Sequence, residues 1–271
     1  MSTRVTTILI AVALVGTVLA GVFLWPRLPD PMASHWNISD EVDGFTSRFW
    51  GVFMIPILSL GMVLLFMLLP EIDPLKANIA KFRPTFNVFI LLVLIFLAYI
   101  WKLSILWNLG FTTFKMSTAM LPAVGLLFIF VAYLLSKARR NWFIGIRTPW
   151  TLSSDHVWDA THRLGSILYF VSGVLALVGS VFGRYAYWFV LLPILVSSVA
   201  LVAYSYFVFR AEKGRQAGTI NSWPPNGPGH LGPPPSGRNS QGTQVGVEIK
   251  APLSTQDAST ASVRPRSRSP R

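Results

Sequence analysis

The sequence predicts an all-α, polytopic membrane protein of about six transmembrane helices followed by a disordered C-terminal tail. Three observations carry that prediction. Hydrophobic residues make up 52% of the 271 residues and charged residues only 13%, against about 25% charged in an average soluble domain. The apolar residues are gathered in runs close to the ~20 residues that a helix needs to cross a bilayer. After Arg215 the texture changes abruptly to Pro, Gly, Ser, Thr and Gln.

Taken in order, the runs are Val5 to Trp25, Phe49 to Leu69, Phe86 to Trp107, Met120 to Leu135, Gly165 to Phe182 and Tyr185 to Phe209. The first exceeds the 7–15 apolar residues of a signal peptide, so it reads as an uncleaved helix. Leu121-Pro122 is placed to open the fourth helix, because Pro is tolerated in a first turn. Gly183-Arg184 is all that separates the fifth and sixth runs, which therefore read as a tight antiparallel hairpin. Pro56 and Pro193 fall inside runs and predict kinks. Residues 216–271 hold Pro-Pro at 224–225, a Pro triplet at 233–235 and a basic end. Such a composition buries too little apolar surface to offset ordering entropy.

The net charge is +12. The basic residues flank the apolar runs, as the positive-inside rule expects, and this placement argues against nucleic acid as a partner. With the N-terminus inside, twelve Lys and Arg lie at inner segments and four at outer ones, Arg27, Arg48, Lys115 and Arg184, with Lys102 a fifth near a helix end. Both termini are thus expected in the cytoplasm. The 26–48 loop faces out, and the 140–164 loop faces in. There are no cysteines, so disulfide and thiolate chemistry are excluded.

Two loops stand out. The outer one carries His35-Trp36-Asn37 between the turn pairs Asp30-Pro31 and Asp43-Gly44. His35, Asp40, Glu41 and Asp43 are metal-ligand types, but their spacing is no recognised metal pattern. The favoured reading has Trp36 anchoring at the interface while His35 and Asn37 hydrogen-bond turns. The inner one, from Arg140 to Gly165, holds Gly145-Ile146-Arg147-Thr148-Pro149. Gly145 suits a sharp turn. Thr151, Ser153, Ser154 or Asp155 can cap the next helix. Trp158 and His162 are four apart and share a helix face, as are Asp155 with Asp159 and Asp159 with Arg163. A structural reading pairs Arg147 with Asp155 or Asp159 and lays Trp150 and Trp158 at the membrane surface. A binding reading gives the same groups to a peptide or protein partner, since aromatics and Arg anchor interfaces.

Catalysis is not expected. There is no Gly-x-Ser-x-Gly elbow, no His-Glu-x-x-His and no phosphate loop. No cofactor or metal is called for. A ladder of intramembrane acids or histidines, as in proton-coupled pumps, is also missing from the runs. A small-solute or peptide transporter is the second reading and a membrane enzyme the third.

Asn141, Gly145 through Pro149, Thr151, Trp158, His162 and Gly165 resemble the signature of the Sdp immunity protein family of bacterial membrane proteins. Leu28-Pro29-Asp30, His35-Trp36-Asn37 and Asp43-Gly44 are similar to the N-terminal domain of unknown function that often precedes it. The outer motif departs from its usual form at Ala33, Asp40 and Val42, and Ser166 replaces a second Gly after Gly165. The resemblance implies a division into an N-terminal membrane domain (1–84), a second membrane domain with the signature (85–215) and a cytoplasmic tail (216–271). It further implies toxin immunity or signalling without catalysis, with a peptide toxin or a transcriptional repressor as candidate partners. The binding residues it singles out are Arg147, Thr148, Pro149, Trp158 and His162 inside, with His35, Trp36 and Asn37 outside. Asn141, Gly145, Asp43 and Gly44 are its structural signature.

Overall fold

The computed structural model describes residues 1–221. Among them are seven α-helices: α1 (Thr3–Leu24), α2 (Arg48–Ile72), α3 (Lys76–Asn108), α4 (Met116–Lys137), α5 (Pro149–Ser153), α6 (Asp155–Gly179) and α7 (Trp188–Asn221). All but α5 are long and apolar enough to span a membrane. Large apolar side chains such as Val12, Leu19, Phe23, Leu195 and Val199 are more than half exposed. Asn87, Thr161, His162, Ser172 and Ser205 are buried instead. That inversion is what lipid requires, because polar groups there must find partners inside the protein.

The spans differ from the expected runs at several ends. α3 and α6 each begin about ten residues early, because their polar first turns are satisfied by neighbouring loops rather than by lipid. Within α3, Phe82 leaves helical geometry just before Pro84, whose missing N–H breaks the ladder. α4 begins at Met116, so Pro122 lies inside the helix rather than opening it. The corner between α6 and α7 is wider than a tight turn. It runs over residues 180–187 with a 3₁₀ turn, and Gly183 has φ +55°. α7 continues to Asn221, past the expected tail boundary; the remainder of that tail lies outside the described residues.

The 26–48 loop is not irregular. Met32–Trp36 (β1) and Val42–Thr46 (β2) form an antiparallel hairpin, with Met32 opposite Thr46 and Trp36 opposite Val42. Asn37 closes its turn by accepting from the Ser39 and Glu41 N–H groups at 2.8 and 3.0 Å. Asn108, at the end of α3, pairs with Ala33 of β1 as a strand would. Its side-chain oxygen accepts from the Ala33 N–H at 2.8 Å and its amide donates to the Ala33 carbonyl at 3.0 Å. Met32 seats the hairpin on a small core with Leu28, Val52, Trp101 and Ile105.

The larger core lies toward the other end and joins Ile10, Val63, Phe82, Phe86, Ile90, Leu134, Ile144 and Trp158. α4 packs most extensively on α6. Gly125 and Gly173 let their backbones meet, since a Cβ on either would lie 2.7–2.8 Å from the other's carbonyl oxygen. In α2, Pro56 has no N–H to give the Val52 carbonyl four residues before it. Trp101 of α3 supplies the donor, with its indole Nε1 at 2.8 Å from that oxygen. Replacing Trp101 with Phe keeps an aromatic there and leaves the carbonyl bare. SDS-induced unfolding is expected to show a loss of about 0.6–2 kcal/mol, the range of interhelical hydrogen bonds in membranes; an unchanged unfolding midpoint would disprove the repair.

Candidate functional site

The segment from Ala138 to Ser154 joins α4 to α6 and is tied down by side chains whose own hydrogen-bonding capacity is filled within the chain. Asn141 is fully buried. Its amide donates to the Arg139 and Ile144 carbonyls, both at 2.8 Å, and its oxygen accepts from the Phe143 and Ile144 N–H groups at 2.9 and 2.6 Å. One side chain thus does the work of a turn of backbone. From the α2–α3 corner, buried Asp73 accepts from the Leu75 and Trp142 N–H groups at 2.6 and 2.8 Å. Asn78 donates to the Arg140 carbonyl at 2.9 Å.

Gly145 follows with φ +117°, a conformation that L side chains resist. A Cβ there would stand 2.4 Å from His162 Nε2. The bare backbone lets the Ile146 N–H donate to His162 Nε2 at 3.0 Å. On the other side of the ring, His162 Nδ1–H donates to the Trp158 carbonyl at 2.9 Å, and these two partners assign the neutral Nδ1–H tautomer. The imidazole lies flat on the Trp158 indole, with ring centroids 3.9 Å apart and planes 16° apart. Trp158 in turn donates from Nε1 to the Ala138 carbonyl at 3.1 Å. Both side chains are buried, at 0% and 2% exposure.

Thr148 then caps α5 in a capping box with Thr151, and Pro149 occupies the first turn, where its missing N–H costs nothing. Thr151 Oγ1 donates within this turn toward the Ile146 carbonyl at 2.9 Å, and Thr148 Oγ1 lies 3.2 Å from Ser205 Oγ of α7. Ser154 caps α6 and donates to Glu212 of α7 at 2.7 Å. The signature residues are therefore brought together, with Thr148, Trp158 and His162 buried and Arg147 and Pro149 exposed.

Several expected pairings are replaced. Asp155 pairs with Arg140 at 2.7 Å and Asp159 with Arg139 at 3.5 Å, so neither is held by Arg147, and the helical pair of Asp159 with Arg163 does not form. Arg147 reaches back to the Trp142 carbonyl at 2.9 Å. Trp158 is in the core rather than at the membrane surface, while Trp150 packs edge-on against Tyr206. Asp73, Asn78, Arg139 and Arg140 were not singled out as site residues. Asp73-Pro74 was readable as a turn pair, but no pattern ties it to a loop 69 residues away.

At the opposite end, His35 hydrogen-bonds Asp43 through Nδ1, and Gly44 lies opposite His35, where a Cβ would come 2.9 Å from the histidine's own. Asp40 turns away to the start of α4, accepting from the Ser117 N–H and hydroxyl at 2.8 and 2.6 Å. Glu41 accepts from Asn37. Among the described residues no cluster of three or more His, Asp or Glu is placed to hold a metal. Trp36 meets Trp107 edge-on at 5.7 Å, and its buried indole N–H has no partner among the described residues. Trp36, Asn37 and Asp40 line one wall of a cleft of about 460 Å³; Met120 and Leu121 of α4 and Tyr187 and Leu191 near the start of α7 line the other.

Residues 137–206 match the SdpI/YfhL protein family. Residues 12–60 match a domain of unknown function designated DUF1648, so the signature and the hairpin fall in separate matched regions. The immunity protein SdpI of Bacillus subtilis (strain 168) is 28% identical over 198 residues, covering 72% of this chain and 92% of that one. No solved structure matches the chain. With its six spans, the SdpI-like chain is a multi-pass cell membrane protein.

The lock around Gly145 gives a direct test. His162→Ala strands the Ile146 N–H and is expected to cost about 1–3 kcal/mol, the range for one orphaned buried group. Gly145→Ala, which meets both the ring and the positive φ, is expected to lower the yield of folded protein more than Gly61→Ala, where a Cβ meets nothing within 4 Å. Thermal unfolding in detergent measures both; equal melting of the two Gly variants would refute the lock.

Proposed function

We propose that the protein is a non-catalytic membrane immunity protein that receives a peptide toxin in the cleft beside the hairpin and meets a regulator at the signature end. One observation carries the outer assignment. The cleft is apolar over most of its wall, and Trp36, whose buried indole N–H has no partner among the described residues, is part of that wall. A buried donor left bare is costly, and a peptide that shifts the Trp36 ring as it settles against Met120, Leu121 and Leu191 brings carbonyl groups able to accept from it. The cleft also lies between the DUF1648 match and the start of α7 within the SdpI match, so both matched regions contribute. In this reading residues 1–84 present the hairpin and residues 85–215 carry the signature.

The signature end takes the regulator through what it leaves exposed, Arg147, Pro149 and Trp142. Arg147 supplies charge-assisted hydrogen bonds and Trp142 an apolar anchor. His162, Trp158 and Thr148 act through the loop conformation they hold. The excess of basic residues on this side supports a cytoplasmic location for it and for both termini.

The decisive experiment is survival. The intact chain and its variants are expressed in a sensitive bacterium, checked for membrane levels and challenged with a membrane-active peptide toxin. Trp36→Ala is expected to abolish protection and Trp36→Phe to reduce it. Arg147→Ala is expected to keep protection and lose signalling. An intact chain that gives no protection, or Trp36→Ala protecting as well as the parent, defeats the reading.

Sidedness is tested separately. Because the chain lacks cysteines, single thiols report cleanly. Ser39→Cys is expected to react with an impermeant maleimide on intact cells, and Ser153→Cys only after permeabilisation. The reverse pattern overturns the topology.

A further inference from the structure

The α6–α7 pair carries a second cleft, of about 470 Å³, lined by His156, Ala160, Arg163, Leu164 and Ile167 of α6 and by Tyr204 of α7. Residues 156, 160, 163 and 167 follow the helical repeat along one face. Their character changes along it: imidazole and guanidinium occupy the first turns, and aliphatic side chains the next. Ala160 is small and leaves the space open. Ile167 is 56% exposed on a spanning helix, so the lower part of the cleft faces hydrocarbon.

Its charge is the second observation. Arg139, Arg140 and Arg147, at the same end of the bundle, are all engaged by groups of the chain. Arg163 is exposed and has neither hydrogen bond nor ion pair among the described residues. The cleft's one acid, Asp159, is already held by Arg139. What remains is an unpaired guanidinium with an imidazole two turns away, directly above an apolar floor. Arg near the end of a spanning helix sits at headgroup level. An unpaired cation there with hydrocarbon below matches a ligand that carries an anion above an acyl chain.

We propose that this cleft binds an anionic phospholipid, with its phosphate on Arg163 and His156 and its chain against Leu164, Ile167 and Tyr204. A zwitterionic lipid offers the same chain but brings its own cation, which offsets the attraction. The site is independent of the toxin reading and of which side the termini occupy.

The test is native mass spectrometry of the full chain in detergent, titrated with phosphatidylglycerol or with phosphatidylcholine of the same chains. Preferential retention of phosphatidylglycerol is expected. Arg163→Gln is expected to weaken it about fivefold, the worth of one cation at an anionic surface, and His156→Gln to weaken it less. Lys115→Gln, at the opposite end, is expected to change nothing. Unchanged melting of Arg163→Gln in phosphatidylcholine shows that the fold is intact. Equal retention of the two lipids, or Arg163→Gln and His156→Gln both binding like the parent, overturns the proposal. Complete displacement by millimolar inorganic phosphate also overturns it, because the site would then be one for a free anion.

Discussion

One imidazole, held between the Ile146 N–H and the Trp158 carbonyl, sets the geometry of a whole end of this molecule. In a low-dielectric interior the Ile146 N–H is expensive to leave bare; His162 satisfies it from the helix that follows the loop, and the Trp158 carbonyl takes up the ring's own Nδ1–H. The bond forms only because Gly145 has no side chain in the way. The loop's path past that point decides where Thr148 caps α5 and therefore where α5 meets Ser205 on α7. The Trp158 indole, stacked under the same ring, returns to the Ala138 carbonyl at the end of α4. One buried pair of rings thus connects α4, the loop, α6 and, through α5, α7.

The same logic recurs wherever the backbone is short of partners. Trp101 answers the carbonyl that Pro56 orphans. Asn108 completes the edge of β1, Asp40 meets the N-terminus of α4 and Asp73 meets the Trp142 N–H. These are side chains standing in for secondary structure, at the places where a helical membrane protein cannot supply it from within one element. Apolar packing against lipid gives little preference for one helix arrangement over another, since lipid tails are as apolar as Leu. The specificity of the bundle rests correspondingly on these few polar contacts and on the close approach at Gly125 and Gly173.

The spans were legible because hydropathy is a property of composition over a window. Their ends were not. Asp155 to Leu164 reads as a polar loop by hydropathy, yet it is the first part of α6, because Ser154 caps it and Arg139 and Arg140 meet its acids. The i, i+4 relation of Trp158 and His162 was readable once a helix was granted. The partners of Arg147 were not, since an Arg can reach any of several acceptors and only the fold selects among them. The hairpin escaped notice because its strands are five residues each and lack strict alternation. Its stability comes from Asn108 and the Met32 core, both distant in sequence or invisible to a local pattern.

This distinction bears on what family resemblance means for the chain. The residues that carry the signature most specifically, Asn141, Gly145, Thr148, Trp158 and His162, are the ones whose bonding is exhausted within the protein or whose space is filled by it. A loop with that path demands those residue types whatever the protein meets, so sharing them transmits architecture. Recognition has to draw on surface that is still exposed or unsatisfied. Among the described residues, surface of that kind includes Arg147 and Trp142 at one end and the walls of the Trp36 cleft at the other. The outer motif departs from the usual pattern at Ala33, Asp40 and Val42, in the hairpin that forms one wall of that cleft. A chain that keeps the lock while altering the hairpin retains the fold and changes the shape of that cleft. The hairpin wall is therefore free to vary while the signature holds the fold.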